Sequence, residues 1–380
     1  MDDSRPLKIL HVLRAPLGGL FRHVADLVRA QIERGHHVGV IADSTRLGPH
    51  PEGTLETLRP KLALGVTRIP IGRHLGPGDV SAAMQIGRLI RASGAEIVHG
   101  HGAKGGAFAR LCAPAAGVVR AYTPHGGSLL YKPGTLSSGF YITLEKFLRP
   151  LSDLLLFESA YVAGLYRAKV GRTNALERVV SNGVGPTEFA DVTLRPDAAD
   201  ILFIGELRHI KGVDVLLDAV ANIRRDGKPL TAAIVGSGPS RPQLEAQAER
   251  LGLSGAVTFH GPVPARDAFK LGRLMVIPSR AESMPYIVLE TAAAGVPMIT
   301  TAVGGVPDIF GREAHRLLQP DDLPSLTAAI DRAVNDPETM RASTAAVRER
   351  VRAEFSIEHM VDGVIAGYRE ALRRKSSRSH

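Results

Sequence analysis

Between Met275 and Ile309 the chain reads MVIPSRAESMPYIVLETAAAGVPMITTAVGGVPDI. Glu282 stands in a polar stretch, and Glu290 follows after the seven residues 283–289. A carboxylate accepts hydrogen bonds from sugar hydroxyls, and the unpaired N–H groups at a helix start welcome an anion. Met284, Pro285 and Tyr286 lie where such a helix start is expected. Two acceptors flanking an anion site suit a ligand that carries both phosphates and hydroxyls, such as a nucleoside diphosphate sugar. The plainer alternative makes both glutamates ordinary surface carboxylates.

The surrounding elements favour the first reading. Met275–Ile277 reads as the end of a buried strand and Pro278–Ser283 as a loop. Pro285 begins a helix that reaches Ala294, Gly295 stops it, and Val296–Thr300 is a second buried strand. Proline inside the first turn and glycine just past the last follow the preferences of helix ends. Gly304-Gly305 opens another tight turn. The two glutamates therefore fall at the carboxyl end of a strand, where open α/β sheets bind ligands.

The run Glu282-Ser-Met-Pro, Glu290, Ala-Gly-Val-Pro-Met-Ile-Thr-Thr resembles the signature of the family-4 (group 1) glycosyltransferases of the GT-B fold. That resemblance implies two doubly wound, Rossmann-like α/β domains facing across a cleft. It also implies that Glu282 binds the donor hexose and Glu290 the ribose. The expected domains are 1–185 on the acceptor side, 186–356 on the nucleotide-sugar side, and a last helix from 357 that crosses back to the first domain and ends in a basic tail.

The first domain can be read from its own residues. Lys8–Leu13 is a buried strand, a helix with Val24, Leu27, Val28 and Ile32 on one face follows, and His37–Ala42 is the next strand. Such a βαβ opening predicts a parallel sheet. After the first strand comes Gly18-Gly19, where a backbone N–H can approach a phosphate with no Cβ in the way. By resemblance one of these glycines touches the donor pyrophosphate. The family often carries Glu shortly after the pair, where this chain has Phe21 and Arg22.

Ile97–His101 ends in His99 and His101, a His-x-His pair that invites a metal reading. No third ligand follows at a useful spacing, so no metal is expected. His125 follows the strand Val118–Thr123, and the resemblance gives it a hydrogen bond to the donor hexose; the alternative is a solvent-exposed turn histidine. Residues 128–151 interleave aromatic and basic groups: Tyr131, Lys132, Phe140, Tyr141, Lys146, Phe147 and Arg149. Phe140, Leu144, Phe147 and Leu148 share one helical face, which can serve core packing, an acceptor groove or a bilayer surface. Val179–Val184 is expected to be the last strand of this half, and Gly185–Asp200 the linker.

In the second half the strand Ile201–Ile204 precedes Arg208 and Lys211-Gly212. Family members place an Arg and a Lys here on the donor diphosphate. The Arg usually follows the first glycine directly, where this chain has Glu206, so Arg208 is expected to take the role from two positions on. Gly236-Ser237-Gly238 forms a further phosphate- or nucleoside-side loop without the third glycine of a dinucleotide fingerprint. His260-Gly261 ends a strand that, by resemblance, lies beside the base, with Val263 near it.

Bulk properties agree. At 380 residues, two domains are the default. The formal net charge of +9 is carried by the first 185 residues, while the remainder is nearly balanced. With no nucleic-acid motif and few aromatics, that charge points to an anionic membrane surface or a phosphorylated acceptor. The single Cys112 excludes an internal disulfide framework and fits a cytoplasmic protein, at most resting on the inner face of the membrane. The first apolar run is too short and acid-flanked for a signal peptide, and no stretch approaches spanning length.

The expected reaction is retaining, metal-independent hexosyl transfer from a nucleoside diphosphate sugar to a sugar or polyprenyl- or other lipid-linked hydroxyl, without a cofactor. A nucleotide-sugar epimerase on the same fold and a non-catalytic nucleotide-sugar-binding protein are the alternatives. The tail from Arg373 onward is expected to be disordered.

Overall fold

The computed structural model describes residues 5–14, 18–45, 49–73, 75–114, 116–130 and 136–377. Tyr131 and Lys132 lie outside the described residues, as do Pro16, Leu17 and the last three residues of the tail. The chain divides into two units, residues 1–182 with 357–380, and residues 183–356.

The first unit is built on a seven-stranded parallel sheet. Its strands are β1 (Lys8–Leu13), β2 (His37–Asp43), β3 (Val66–Ile69), β4 (Ile97–His101), β5 (Val119–Thr123), β6 (Leu154–Phe157) and β7 (Leu176–Val179). They lie in the order β3-β2-β1-β4-β5-β6-β7, so the winding reverses between β1 and β4. Central strands such as KILHVL and LLLF are apolar runs because both faces are covered by helices. Helix Ile357–Ser377 packs Met360, Val361, Val364, Tyr368 and Leu372 against β1, β4, β5 and β6.

The second unit repeats the plan with five parallel strands: β8 (Ala199–Ile204), β9 (Ala232–Val235), β10 (Val257–His260), β11 (Gly272–Ile277) and β12 (Met298–Thr300). Their order is β10-β9-β8-β11-β12, with the reversal between β8 and β11. Helix Val213–Arg225 buries Leu216, Leu217, Val220 and Ile223 on one side of this sheet, and helix Tyr286–Ala293 buries Val288, Leu289 and Ala292 on the other.

Three local expectations change. The last strand of the first unit is Leu176–Val179, not Val179–Val184. Beyond it Asn182 is buried with its Oδ1 against the His23 ring, 3.0 Å away, which draws the chain off the sheet. The tail is helical through Ser377, because Arg374 pairs with Glu370 at 2.8 Å and Lys375 with Asp153 at 2.6 Å. Helix Leu136–Leu148 does not bury the face drawn from its sequence: Leu148 is buried, but Phe140 and Phe147 are 53% and 69% exposed. Its inward side is set instead by Glu145, whose carboxylate accepts two bonds from the buried Arg110 guanidinium at 2.9 and 3.1 Å and one from Tyr122 at 2.9 Å.

Candidate functional site

In the second unit every strand is parallel, so the loops after β8, β9, β10 and β11 rise on one edge. Backbone hydrogen bonds stitch them together. Gly236 N–H donates to His260 O at 3.4 Å, Leu207 N–H to Ser237 O at 2.9 Å, and Arg280 N–H to Ile210 O at 2.8 Å. Two of the glycines in this rim combine a positive φ with a close backbone approach. A Cβ on Gly236, at φ +142°, would lie 1.9 Å from Gly205 O, and one on Gly212, at φ +69°, 2.0 Å from Pro278 O. The Gly236-Ser237-Gly238 loop is thus pressed against the loop after β8.

Lys211 and Glu282 come from opposite sides of the winding reversal and meet. Lys211 Nζ donates to Glu282 Oε1 at 2.7 Å, and Ser279 Oγ donates to the same oxygen at 2.7 Å. Both bonds fall on Oε1, which leaves Oε2 as an acceptor, and an ammonium has further N–H donors. Met284, Pro285 and Tyr286 are buried at the start of the following helix, with Pro285 as its cap residue. Glu290 lies within that helix, half-buried. Arg208 is exposed, with Glu206 3.6 Å away. His260 is half-buried and Gly261 exposed at the end of β10.

Two positioning residues had no place in the sequence reading. Arg280 donates to both Asp214 oxygens at 2.8 and 2.7 Å and to Asp321 at 2.6 Å, clamping the loop that carries Glu282 to the helix after β8. Ser279 fixes the Glu282 carboxylate as above. Ser279 stands three residues before Glu282, which hints at a local bond, but Arg280 and Asp214 are separated by 66 residues and nothing in the sequence joins them.

In the first unit the reversal lies between β1 and β4, and five histidines gather at it. His11 is on β1, His99 and His101 on β4, His125 just after β5, and His23 on helix Gly18–Glu33. The tertiary fold therefore supplies what the sequence spacing of His99 and His101 lacked. His11 Nδ1 lies 2.9 Å from His101 Nε2, and His101 Nδ1 lies 3.1 Å from His125 Nε2. His99 is taken by Tyr368 Oη at 2.7 Å and Thr123 Oγ1 at 2.8 Å. Burial holds His11 and His23 neutral, each lowered to about 4, against weaker opposing hydrogen bonds to Gln31 and Asn182. His99 and His101 are pushed well below the usual histidine range by burial and by the neighbouring histidines, and His125 by burial and His23.

His125 is half-buried and has φ +53°, a left-handed backbone conformation uncommon for a non-glycine residue. Gly18, at φ +64°, and Gly19 are exposed at the start of the helix after β1. Gly18 and His125 thus share the carboxyl edge of this sheet with the histidine cluster.

Two doubly wound units, each with its candidate residues at the winding reversal, define the GT-B architecture. The family profile described as "Glycosyl transferases group 1" matches residues 198–336, and the "Glycosyl transferase 4-like domain" profile matches residues 18–183. The chain belongs to the group 1 glycosyltransferases. Among its relatives, D-inositol 3-phosphate glycosyltransferase of Segniliparus rotundus is 34% identical over 48% of this chain and 42% of that protein. The matched part thus spans under half of that relative's length. Glycogen synthase of Mycobacterium tuberculosis (strain H37Rv) is 25% identical over 94% of this chain and 92% of its own. Sucrose-phosphate synthase from Thermosynechococcus elongatus superimposes with a TM-score of 0.80 at 21% identity, covering 97% of this chain and 100% of that one.

Proposed function

We propose that the protein is a retaining hexosyltransferase that moves a sugar from a nucleoside diphosphate onto a sugar or lipid-linked hydroxyl, in polysaccharide or glycolipid biosynthesis. The observation that carries this is the Lys211–Glu282 pair at the reversal of the second sheet, rimmed by the glycine loop after β9. In this reading Lys211 and Arg208 bind the diphosphate, aided by Gly18 or Gly19. Glu282 and His125 bind the hexose. Glu290, Gly236, Ser237, Gly238, His260, Gly261 and the turn Met284–Tyr286 bind the nucleoside and its phosphates.

The bond from the anomeric carbon to the phosphate oxygen breaks, and a bond to the acceptor oxygen forms on the same face. The acceptor proton passes to the departing phosphate. Charge grows on that phosphate in the transition state, so cations fixed beside it lower the barrier. Transfer by this route uses no metal and no cofactor. The relatives' printed names, a D-inositol 3-phosphate glycosyltransferase and a glycogen synthase, support transfer to a hydroxyl acceptor.

A peripheral contact with an anionic membrane is part of the same proposal. Phe140, Phe147 and Leu111, at 53%, 69% and 55% exposure, stand on the basic unit, with the exposed Lys146 next to Phe147 in the chain, and none of the described helices is long and apolar enough to cross a bilayer. Cosedimentation with anionic liposomes at low salt, lost on Phe147→Ser, is the expected result; no cosedimentation removes the membrane clause.

The test of the main proposal is a thermal-shift series with uridine, guanosine and adenosine diphosphate sugars. One base should raise the melting temperature in the parent protein and fail to do so in Glu290→Ala. Analysis of the product anomer, with chelator present, then checks retention and metal independence. No stabilisation by any of the three donors would overturn the assignment.

A further inference from the structure

The histidine cluster is more than the donor reading uses. His23 and His101 are 3% and 1% exposed and His125 is half-buried, and one nitrogen from each lies within 4.8 Å of the other two. The rings surround a common point, with centroids 4.8 Å apart for His23 and His125, 5.4 Å for His101 and His125, and 5.7 Å for His23 and His101.

The hydrogen-bond partners fix which nitrogens are lone pairs. Asn182 Oδ1 and Gln31 Oε1 can only accept. His23 therefore carries its proton on Nδ1, donating to Asn182 at 3.0 Å, and its Nε2 is a bare lone pair. That Nε2 is buried and has no hydrogen-bond partner. An orphaned acceptor of this kind calls for an explanation. At the other end His11 donates from Nε2 to Gln31 at 2.9 Å, so His11 Nδ1 accepts from His101 Nε2 and His101 Nδ1 is the second lone pair. His125 Nε2 stands 3.1 Å from it.

We infer that His23 Nε2, His101 Nδ1 and His125 Nε2 form a binding site for a borderline divalent transition-metal ion of the zinc or cobalt kind. Three neutral imidazoles with a fourth position left for solvent is an established ligand set for such ions. Tetrahedral coordination at 2.0–2.1 Å requires ligand nitrogens roughly 3.3 Å apart, close to the His101–His125 separation. Asn182 and the His11–Gln31 relay hold His23 and His101 in the ligating tautomer, as outer-shell acceptors do at metal sites. Only His125 must shift its proton, from Nε2 to Nδ1, so the three ligands stay neutral and no co-reactant is needed. The half-buried His125 gives the ion its way in. The ion is not assigned a part in the transfer reaction, and the inference stands whether or not the sugar-transfer reading does.

The experiment titrates tag-free, chelator-stripped full-length protein with Co2+, read by its visible absorption, with Zn2+ in competition. One Co2+ per chain with an intense tetrahedral spectrum, displaced by Zn2+, is expected. Asn182→Ala should weaken binding about 10- to 100-fold, and His23→Ala should lose the tetrahedral spectrum. A parent protein that shows no tetrahedral spectrum at stoichiometric Co2+ overturns the site. So does a folded His23→Ala that binds as the parent does. If His23→Ala melts below the assay temperature, Asn182→Ala decides, and parent-like affinity there overturns the site.

Discussion

Lys211 Nζ and Glu282 Oε1 lie 2.7 Å apart although 71 residues separate them in the chain. The pair is part-buried, and Ser279 donates to the same Glu282 oxygen. An ammonium fixed in this way is aimed before any ligand arrives, which is the condition for stabilising a developing charge.

Lys211→Met should therefore lower kcat/KM by about 100- to 1000-fold, the size of effect seen when one preorganised donor is removed. Most of the loss should fall on kcat, because phosphate charge is greatest in the transition state. A fall confined to KM would show that Lys211 binds the donor without favouring its departure. Ser279→Ala should cost less, about 10-fold, since it only releases the carboxylate that Lys211 also holds.

Gly236→Ala tests the rim. Its new Cβ would stand 1.9 Å from Gly205 O, and φ +142° is a conformation that alanine rarely adopts. The loop after β9 must move away from the loop after β8, so donor affinity should drop while the unit stays folded. The control is Gly164→Ala, at an exposed position of helix Ala160–Lys169 in the first unit, whose Cβ meets nothing within 4 Å. Equal donor affinity in the two variants would show that the tight packing of the rim is irrelevant to binding.

Much of this was legible beforehand, and the physical reasons differ from one residue to the next. The buried parallel strands announce themselves as apolar runs, and Glu282, Glu290 and Lys211-Gly212 belong to local motifs that carry their own spacing. Contacts closed by the sheet order leave no such trace. His11, His23 and His125 reach His101 only because β1, β4 and β5 are neighbours, and along the chain no third histidine stands close to His99 and His101. Helix Leu136–Leu148 leaves its three alternatives open for another reason: its inward face is fixed by an ion pair, which apolar periodicity does not register.

That ion pair makes a stability prediction. Arg110 and Glu145 have 0% and 4% of their side-chain surface exposed, and Tyr122 adds a hydrogen bond to the same carboxylate. Removing one partner strands a buried charge, at a cost of about 3–5 kcal/mol. Glu145→Ala should lower the free energy of unfolding measured in urea by that amount. Converting Arg110 to Met together with Glu145→Leu should recover much of the loss, because a well-packed apolar pair leaves no uncompensated charge. A double variant as unstable as Glu145→Ala would mean that packing around Tyr122, not charge, governs this region.

Acid should weaken the first unit before it touches the carboxylates. His11 and His23 fall to about 4 when folded, while an unfolded histidine titrates near 6.5. Between those values the unfolded chain binds protons that the folded one refuses, so stability is complete above about 6.5 and declines as pH falls to about 4. The decline is on the order of 3 kcal/mol for either histidine alone. Paired carboxylates such as Glu96, held low by Arg5, exert their effect at lower pH. Urea unfolding in chelator at pH 7.5, 6.0 and 5.0 should show the midpoint falling across that range. His11→Gln should shrink the fall, since an amide can keep a polar contact with His101 without titrating. A midpoint that holds steady from pH 7.5 to 5.0 would mean that the folded cluster takes up protons over the same range as the unfolded chain.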